Sequence, residues 1–449
     1  MTCHETIPAA LVEAIAPRVF GHVTAVEGPR MRVSGLKGFA RIGDRLSIDA
    51  GQASPLYAEV IGAEQSDIIA FAFGSTIGLC AGARADLKKF AAVARPSADW
   101  LGHVVNWRGE SSAGGVLAMG NRMAPIDGKP PAAARRRPLG ERLKTGHAVF
   151  DTFLPICRGQ RIGVFAGSGV GKSTLLAGLA KGVEADVCVY ALIGERGREV
   201  QAIVDHARKA RFLDRTVVVA STSDESALAK REGARLAMAI AECFRNDGRH
   251  VLLIFDSLTR YAEAHREIAL ARGEPPSLHA YPPSTVSELA SLLERSGPGE
   301  GDQGDITAIY SVLIAGSDMD EPVADMVRGL LDGHVVLDRA IAERGRFPAV
   351  NIRQSVSRSL PSAASAEENS LLIEARGLLA AYENAELLIR SGLYAPGTDP
   401  HTDRAIATWP ALEDFSALTG DFTTVEWFNR LRQTLDCAKP GSPLQPINT

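Results

Sequence analysis

Cysteine is scarce in this chain. The six that occur, Cys3, Cys80, Cys157, Cys188, Cys243 and Cys437, are scattered and form no C-x-x-C pair, so neither a zinc ribbon nor a redox dithiol is expected. Several stand in apolar runs, as core thiols do, which suits a reducing cytosol. No apolar run approaches the roughly 20 residues that cross a bilayer. The N-terminus lacks a basic stretch leading into an apolar core, so a secretory signal is not expected. An excess of one charge is also missing. Lys and Arg number 49 against 53 Asp and Glu, a net of −4, which gives no overall drive toward nucleic acid or an anionic membrane. The one basic cluster, Arg135-Arg136-Arg137, reads as a solvated linker.

What is present is ample core material. Hydrophobic residues make up 45% and charged residues 23% of the chain, as in a well-buried protein of two or three domains. The chain is organised around residues 162–174, I-G-V-F-A-G-S-G-V-G-K-S-T. A short apolar strand, a Gly-rich turn, Lys-Ser-Thr and a helix make a phosphate-binding loop. Gly167, Gly169 and Gly171, with Ser168 and Val170 between them, let backbone N–H groups turn toward one anion. The helix beginning near Lys172, Ser173 and Thr174 aims its positive end at the same place. Lys172 suits the β- and γ-phosphates, and the Ser173 hydroxyl suits Mg²⁺. Where the general pattern opens with Gly, this chain has Ala166, a methyl that is tolerable if φ stays negative.

Residues 5–16 place Ile7, Leu11 and Ile15 on one helical face, so residues 1–17 read as a frayed tail, a helix packed on its own domain, or an N-terminal helix bound to a partner. Over residues 18–90, short β-favouring pieces at 22–26, 31–33, 45–48, 57–61 and 68–73 predict a small β-barrel or sandwich. Residues 91–150 connect it to a core over 151–360. There, strands at 162–165, 187–193, 216–220, 251–255 and 306–314 alternate with helices, which predicts a mostly parallel sheet covered on both faces. The run S-G-P-G-E-G-D-Q-G at 296–304 predicts a mobile loop. Residues 361–438 carry no strand signal. Helices are expected over 366–391 and 411–436, with Leu371, Leu372, Leu378, Leu379, Leu387 and Leu388 forming an apolar stripe. The tail, 439–449, is proline-rich and expected to be disordered.

Two carboxylates complete the chemistry. The strand at 251–255 ends in Asp256, the usual place for the acid that holds Mg²⁺ through water. The strand at 187–193 ends in Gly194-Glu195-Arg196, and Glu195 is the candidate to orient or deprotonate an attacking water. An ion pair of Glu195 with Arg196 or Arg198 in a surface turn is the alternative.

In this order, the runs G-S-G-V-G-K-S-T, L-I-G-E-R-G-R-E-V, L-I-F-D-S-L-T-R, Y-P-P-S, L-D-G-H-V-V-L-D-R, F-P-A-V and S-V-S-R resemble the flagellar and type III secretion export ATPases. These are relatives of the rotary ATP synthase α and β subunits. The resemblance runs from about residue 21 to 435, is densest between 145 and 358, and includes Ala166. It implies an α/β fold: a RecA-like P-loop NTPase core with an N-terminal small β-barrel domain and a C-terminal helical domain. It implies ATP hydrolysis with Mg²⁺, with Glu195 as the catalytic carboxylate that non-catalytic relatives lack. By the same resemblance, Arg196 and Glu199 stand near the γ-phosphate and metal, and Arg260 is an active-site arginine. Phe347 stacks on adenine, and Arg358 is the finger given to a neighbour's nucleotide. One chain carrying both Glu195 and Arg358 can form a ring of identical subunits, and the resemblance implies a cytoplasmic homohexamer, peripheral at the inner-membrane export apparatus. The implied partners are a stator-like regulator on the N-terminal helix, a central-stalk-like subunit, the export gate and chaperone–substrate complexes, with no nucleic acid.

Two departures accompany the match. The acidic coupling motif of the rotary β subunit is not visible, and residues 102–128 differ from the usual linker turn. Within the class, a virulence secretion ATPase is the alternative to a flagellar one. A hexameric RNA helicase would need a basic, aromatic-rich barrel, and a nucleotide-binding subunit without turnover would not need Glu195.

Overall fold

The structure is a computed structural model that describes residues 18–436 apart from 52–53, 65, 89–92, 278–280 and 316–318. The helix expected over 5–16 and the tail from 439 lie outside the described residues. The chain divides into two compact units. One is built on residues up to 92 with two short returns, 225–229 and 264–282, and the other holds the remainder.

In the first unit, six strands close into a barrel. They are β1 (Phe20–Glu27), β2 (Arg30–Ser34), β3 (Arg45–Ile48), β4 (Leu56–Glu64), β5 (Asp67–Ala72) and β6 (Arg84–Lys88). Their order is β1-β2-β5-β4-β3-β6, and closure removes the open edges. Alternation sends Met31 and Val33 inward with Val23, Leu46, Ile48 and Val60, while Arg30 bonds Glu27 and Glu64 outside at 2.8 and 2.7 Å. Gly21 is required by close approach, because a Cβ there would lie 2.1 Å from the Ser34 carbonyl oxygen. Strand β6 was not among the five expected. Its sequence, R-A-D-L-K, carries only two apolar residues, and it is held by pairing with β1 and β3 on either side.

The second unit is built on a nine-stranded sheet. Its main strands are β7 (Arg161–Ala166), β8 (Val187–Glu195), β9 (Thr216–Thr222), β10 (Val251–Asp256), β11 (Asp305–Leu313), β12 (Gly333–Leu337) and β13 (Val350–Ser357). The order is β13-β12-β7-β11-β10-β8-β9, with the short strand Val104–Val105 beyond β9. The strands from β12 to β9 run parallel, and only β13 is antiparallel to its neighbour among them. All five strands expected in the core are there, buried on both faces, which is why they read as near-continuous apolar runs. Parallel strands put the carboxyl ends of β7, β8 and β10 along one edge, where ligands gather in such sheets.

Two expectations are revised together. Residues 296–304 are not a mobile loop: Gly297 and Pro298 pair with the start of β11. In residues 135–137, Arg135 and Arg137 stay exposed, as a solvated linker would be, but the segment is pinned. Arg137 donates to the carbonyls of Gly301 and Gln303 at 3.3 and 2.5 Å and to Asp305 at 2.6 Å. Arg135 meets Glu300 at 3.0 Å, and Arg136 donates to the Ser296 carbonyl at 3.2 Å. Each segment supplies the charges the other lacks, a pairing across more than a hundred residues that local composition does not display.

Three C-terminal helices complete the unit: α3 (Ala366–Arg390), α4 (Pro400–Ala417) and α5 (Thr424–Asp436). They are numbered after α1 (Lys172–Gly182) and α2 (Gly197–Lys209) of the sheet region. Ser365 and Glu368 form a capping box at the start of α3. The helix expected over 411–436 is two helices, broken at 418–423. Asp399 caps α4 and Pro400 opens it, so it starts well before 411, with Pro410 inside. The break docks on the segment before β7, with Ala148 N–H donating to Leu418 O at 3.0 Å and Gly420 N–H to Gly146 O at 2.9 Å. Of the leucine stripe, Leu372, Leu378 and Leu379 are buried, but Leu387 is 80% exposed and Leu388 is exposed too.

The docking segment is tied on both sides. The buried Asp151 carboxylate accepts from Thr145 N–H (2.8 Å), Thr145 Oγ1 (2.9 Å), Gly146 N–H (3.0 Å) and Trp427 Nε1 on α5 (3.1 Å). On its other side the segment lies flush against α1. A Cβ at Gly182 would come within 2.0 Å of the Thr145 carbonyl oxygen, and one at Gly178 within 3.0 Å of the His147 ring.

Candidate active site

Strand β7 delivers the chain into the loop at Ala166, which is buried and does not have a positive φ, so the methyl is accommodated. Gly169 and Gly171 then take φ of +79° and +88°, a region that only glycine enters cheaply. At Gly171 a side chain would also lie 3.2 Å from the Phe347 ring. Phe347, 51% exposed, therefore stands against the phosphate loop with open ring surface. Ser168, Ser173 and Thr174 are exposed around the loop, and Gly167 and Val170 are buried beneath it. Helix α1 begins at Lys172, so its unpaired N–H groups face the same space.

The Lys172 ammonium forms a salt bridge with Asp256 and lies 3.7 Å from Glu195 Oε1. Asp256, at the end of β10, is 1% exposed, and its Oδ1 also accepts from the Ser311 hydroxyl. Glu195 ends β8 and lies beside Glu199 in the first turn of α2. Burial, the nearby Asp256 charge and the proximity of Glu199 push the Glu195 carboxyl up to about 7, against the opposing pull of Lys172. Arg196 is the N-cap of α2, and it and Arg198 are exposed. The charge partner of Glu195 is thus Lys172 and not the arginines of its own turn. The stem of Arg260 lies over Gly194, where a Cβ would meet it at 2.8 Å, and its guanidinium pairs with Glu263 at 2.8 Å.

Arg358 is placed differently. Ala166 is level with Leu337, and Leu337 with Val350, so the start of β13 lies at the loop end of the sheet. Ser357 is level with Gly333 at the other end. Between those ends β12 advances four residues, about 13 Å, and the extra residues of β13 bulge out between Asn351 and Val356. Arg358 is exposed there, its guanidinium 3.5 Å from the Arg328 carbonyl, and it cannot reach its own loop. Lys172, Ser173, Glu195, Glu199 and Asp256 are brought together, with Arg260 and Phe347 beside them, while Arg358 stands apart. The residue that sequence reasoning misses is Ser311. Its only signal is a hydroxyl inside an apolar strand.

Residues 146–357 match the model of the ATP synthase alpha/beta family nucleotide-binding domain, and residues 364–417 match that of the T3SS EscN ATPase C-terminal domain. The flagellum-specific ATP synthase of Caulobacter vibrioides is 45% identical over 413 residues, covering 90% of this chain and 93% of that protein. The chain belongs to the flagellar and type III secretion export ATPase family. As a member of this export ATPase family it is an ATP-hydrolysing enzyme. The SPI-2 type 3 secretion system ATPase of Salmonella typhimurium is also similar, 44% identical over 80% of this chain and 82% of that one. Among solved structures, the assembled export ATPase EscN of enteropathogenic E. coli superposes with a TM-score of 0.87 at 36% identity. The match covers 92% of this chain and all of that one. A second EscN structure, in complex with its central stalk EscO, superposes at 0.82. Barrel, nucleotide-binding core and C-terminal helices are thus the family's architecture.

Proposed function

We propose that this chain hydrolyses ATP as a homohexameric ring and so energises the export of flagellar proteins through a type III apparatus. The observation that supports this most is the division of labour within one chain. The Lys172–Asp256–Glu195 cluster stands at one end of the sheet and Arg358 at the other, about 13 Å along it. A catalytic cluster and a distant arginine work together only if a neighbour supplies the arginine.

In this mechanism the loop N–H groups from Gly167 to Thr174 cradle the phosphates, and Lys172 turns from Asp256 to the β- and γ-phosphates. Phe347 flanks the adenine. Glu195 accepts a proton from the attacking water, and its proximity to Asp256 and Glu199 makes it a stronger base than an ordinary carboxylate. Arg196 and Arg260 stand by the γ-phosphate, and Arg358 of the neighbouring copy neutralises charge that develops there. Ser173, Glu199 and, through water, Asp256 offer only oxygen. Among the described residues no three metal-binding side chains converge into a cage, which fits Mg²⁺, an ion that keeps waters and takes phosphate oxygens. When bound, Mg²⁺ supplies charge neutralisation across the β- and γ-phosphates.

Turnover per chain should therefore rise with protein concentration, in step with assembly followed by mass. Constant turnover per chain down to concentrations where only monomer is present would count against the ring. No helix among the described residues is long and apolar enough to cross a membrane, so attachment at the inner membrane is proposed to be peripheral. A central-stalk-like subunit, the export gate and chaperone–substrate complexes are the proposed partners. The Ile7, Leu11 and Ile15 face is the proposed dock for a stator-like regulator. Deleting residues 1–17 should leave basal hydrolysis in place and abolish capture of that regulator, and capture that survives the deletion would place the dock elsewhere.

A further inference from the structure

Tyr190 lies in the middle of β8, level with Val218 on one side and Ile254 on the other. Alternation puts Cys188, Tyr190 and Leu192 on the same face as Leu252 and Ile254, packed with Leu175, Leu176 and Leu179 of α1. The side chain is fully buried, and its hydroxyl has no hydrogen-bond partner among the described residues. A buried tyrosine hydroxyl normally has one, and leaving it without costs stability. Asp256 stands two residues beyond Ile254 on the same face, about 7 Å further along, a span that a phenol covers. Burial, then the charges of Asp256, Cys188 and Glu195, keep the phenol protonated, so it is a donor. Without nucleotide, Asp256 already holds Lys172 and the Ser311 hydroxyl.

We propose that Tyr190 is a positioning residue whose hydroxyl takes up Asp256 when Lys172 leaves it for the phosphates of ATP. The inference rests on the reading of Lys172 as the phosphate ligand. The phenol keeps its proton and no bond other than hydrogen bonds changes. Its hydroxyl is a cost in the nucleotide-free protein and a support once nucleotide binds. It holds the orientation of the carboxylate that faces the metal and the reacting phosphate.

The test is a reversal of sign. Tyr190→Phe in the otherwise native chain should raise the nucleotide-free melting temperature by ~1–3 °C, because an unpartnered hydroxyl is removed. In a Lys172→Ala background, where Asp256 has already lost its ammonium, the same substitution should lower it. Saturating Mg-ADP should raise the melting temperature of Tyr190→Phe by less than it raises that of the native chain. The variant's kcat should fall about 3–10-fold, the loss of one hydrogen bond. A shift of the same sign in both backgrounds, with an unchanged ADP increment, would make Tyr190 a core ring only and overturn the inference. Tight nucleotide binding by Lys172→Ala would instead overturn the reading of the site on which it rests.

Discussion

Arg358→Ala should bind ATP as the native chain does and hydrolyse it about 10³–10⁵ times more slowly, the usual worth of an arginine finger. Binding survives because every group that grips the phosphates lies at the other end of the sheet, beyond the span of β13. The decisive form of the experiment mixes two inactive variants. Each site in an Arg358→Ala ring lacks its finger, and each site in a Glu195→Gln ring lacks its base. In a mixed ring, some interfaces join an intact Glu195 from one chain to an intact Arg358 from the next. Activity should reappear on mixing and peak near equal proportions, with mixed assembly verified by mass. Confirmed mixed rings without any recovered activity would remove Arg358 from the neighbour's site, or require all sites in a ring to be intact together.

The second large effect concerns Glu195. Its replacement by Gln should leave nucleotide binding in place and slow hydrolysis about 10²–10⁴-fold, as expected for loss of a general base. Lys172→Ala should lose binding itself. The pH profile separates the two roles. The Glu195 carboxyl of the free enzyme holds its proton up to about 7, because it is buried beside Asp256 and Glu199. A protonated carboxyl cannot accept a proton from water, so kcat/KM should fall as pH drops through about 7. The residual activity of Glu195→Gln should lack that limb. A native profile flat from pH 6 to 8 would mean that the base is another group.

What could be read from the sequence divides along physical lines. The phosphate loop, Asp256 and Glu195 were legible because each is a local event, a strand that ends in the required residue. The five core strands were legible because burial on both faces leaves an apolar run with no alternation to obscure it. Ser311 was not, since register alone brings it to Asp256 and register is a property of neighbouring strands. The mating of Arg135-Arg136-Arg137 with residues 296–305 was hidden for the same reason. Strand β6 escaped because partners on both sides replace the apolar content it lacks. The true start of α4 was obscured by Pro410, which reads as a breaker but sits inside the helix.

The segment from Thr145 to Asp151 leaves the molecule little slack. Four donors converge on one carboxylate, three from the segment itself and one from Trp427. Hydrogen bonds weaken steeply within a few tenths of an ångström and tens of degrees, so α5 cannot slide far without dragging the segment along. The segment in turn abuts the last turn of α1. An α-helix is a stiff rod, and the 11 residues of α1 carry an axial push over about 16 Å to the end where Lys172 meets phosphate. Torque applied to the C-terminal helices thus has a short mechanical linkage to the nucleotide, one that bypasses the sheet.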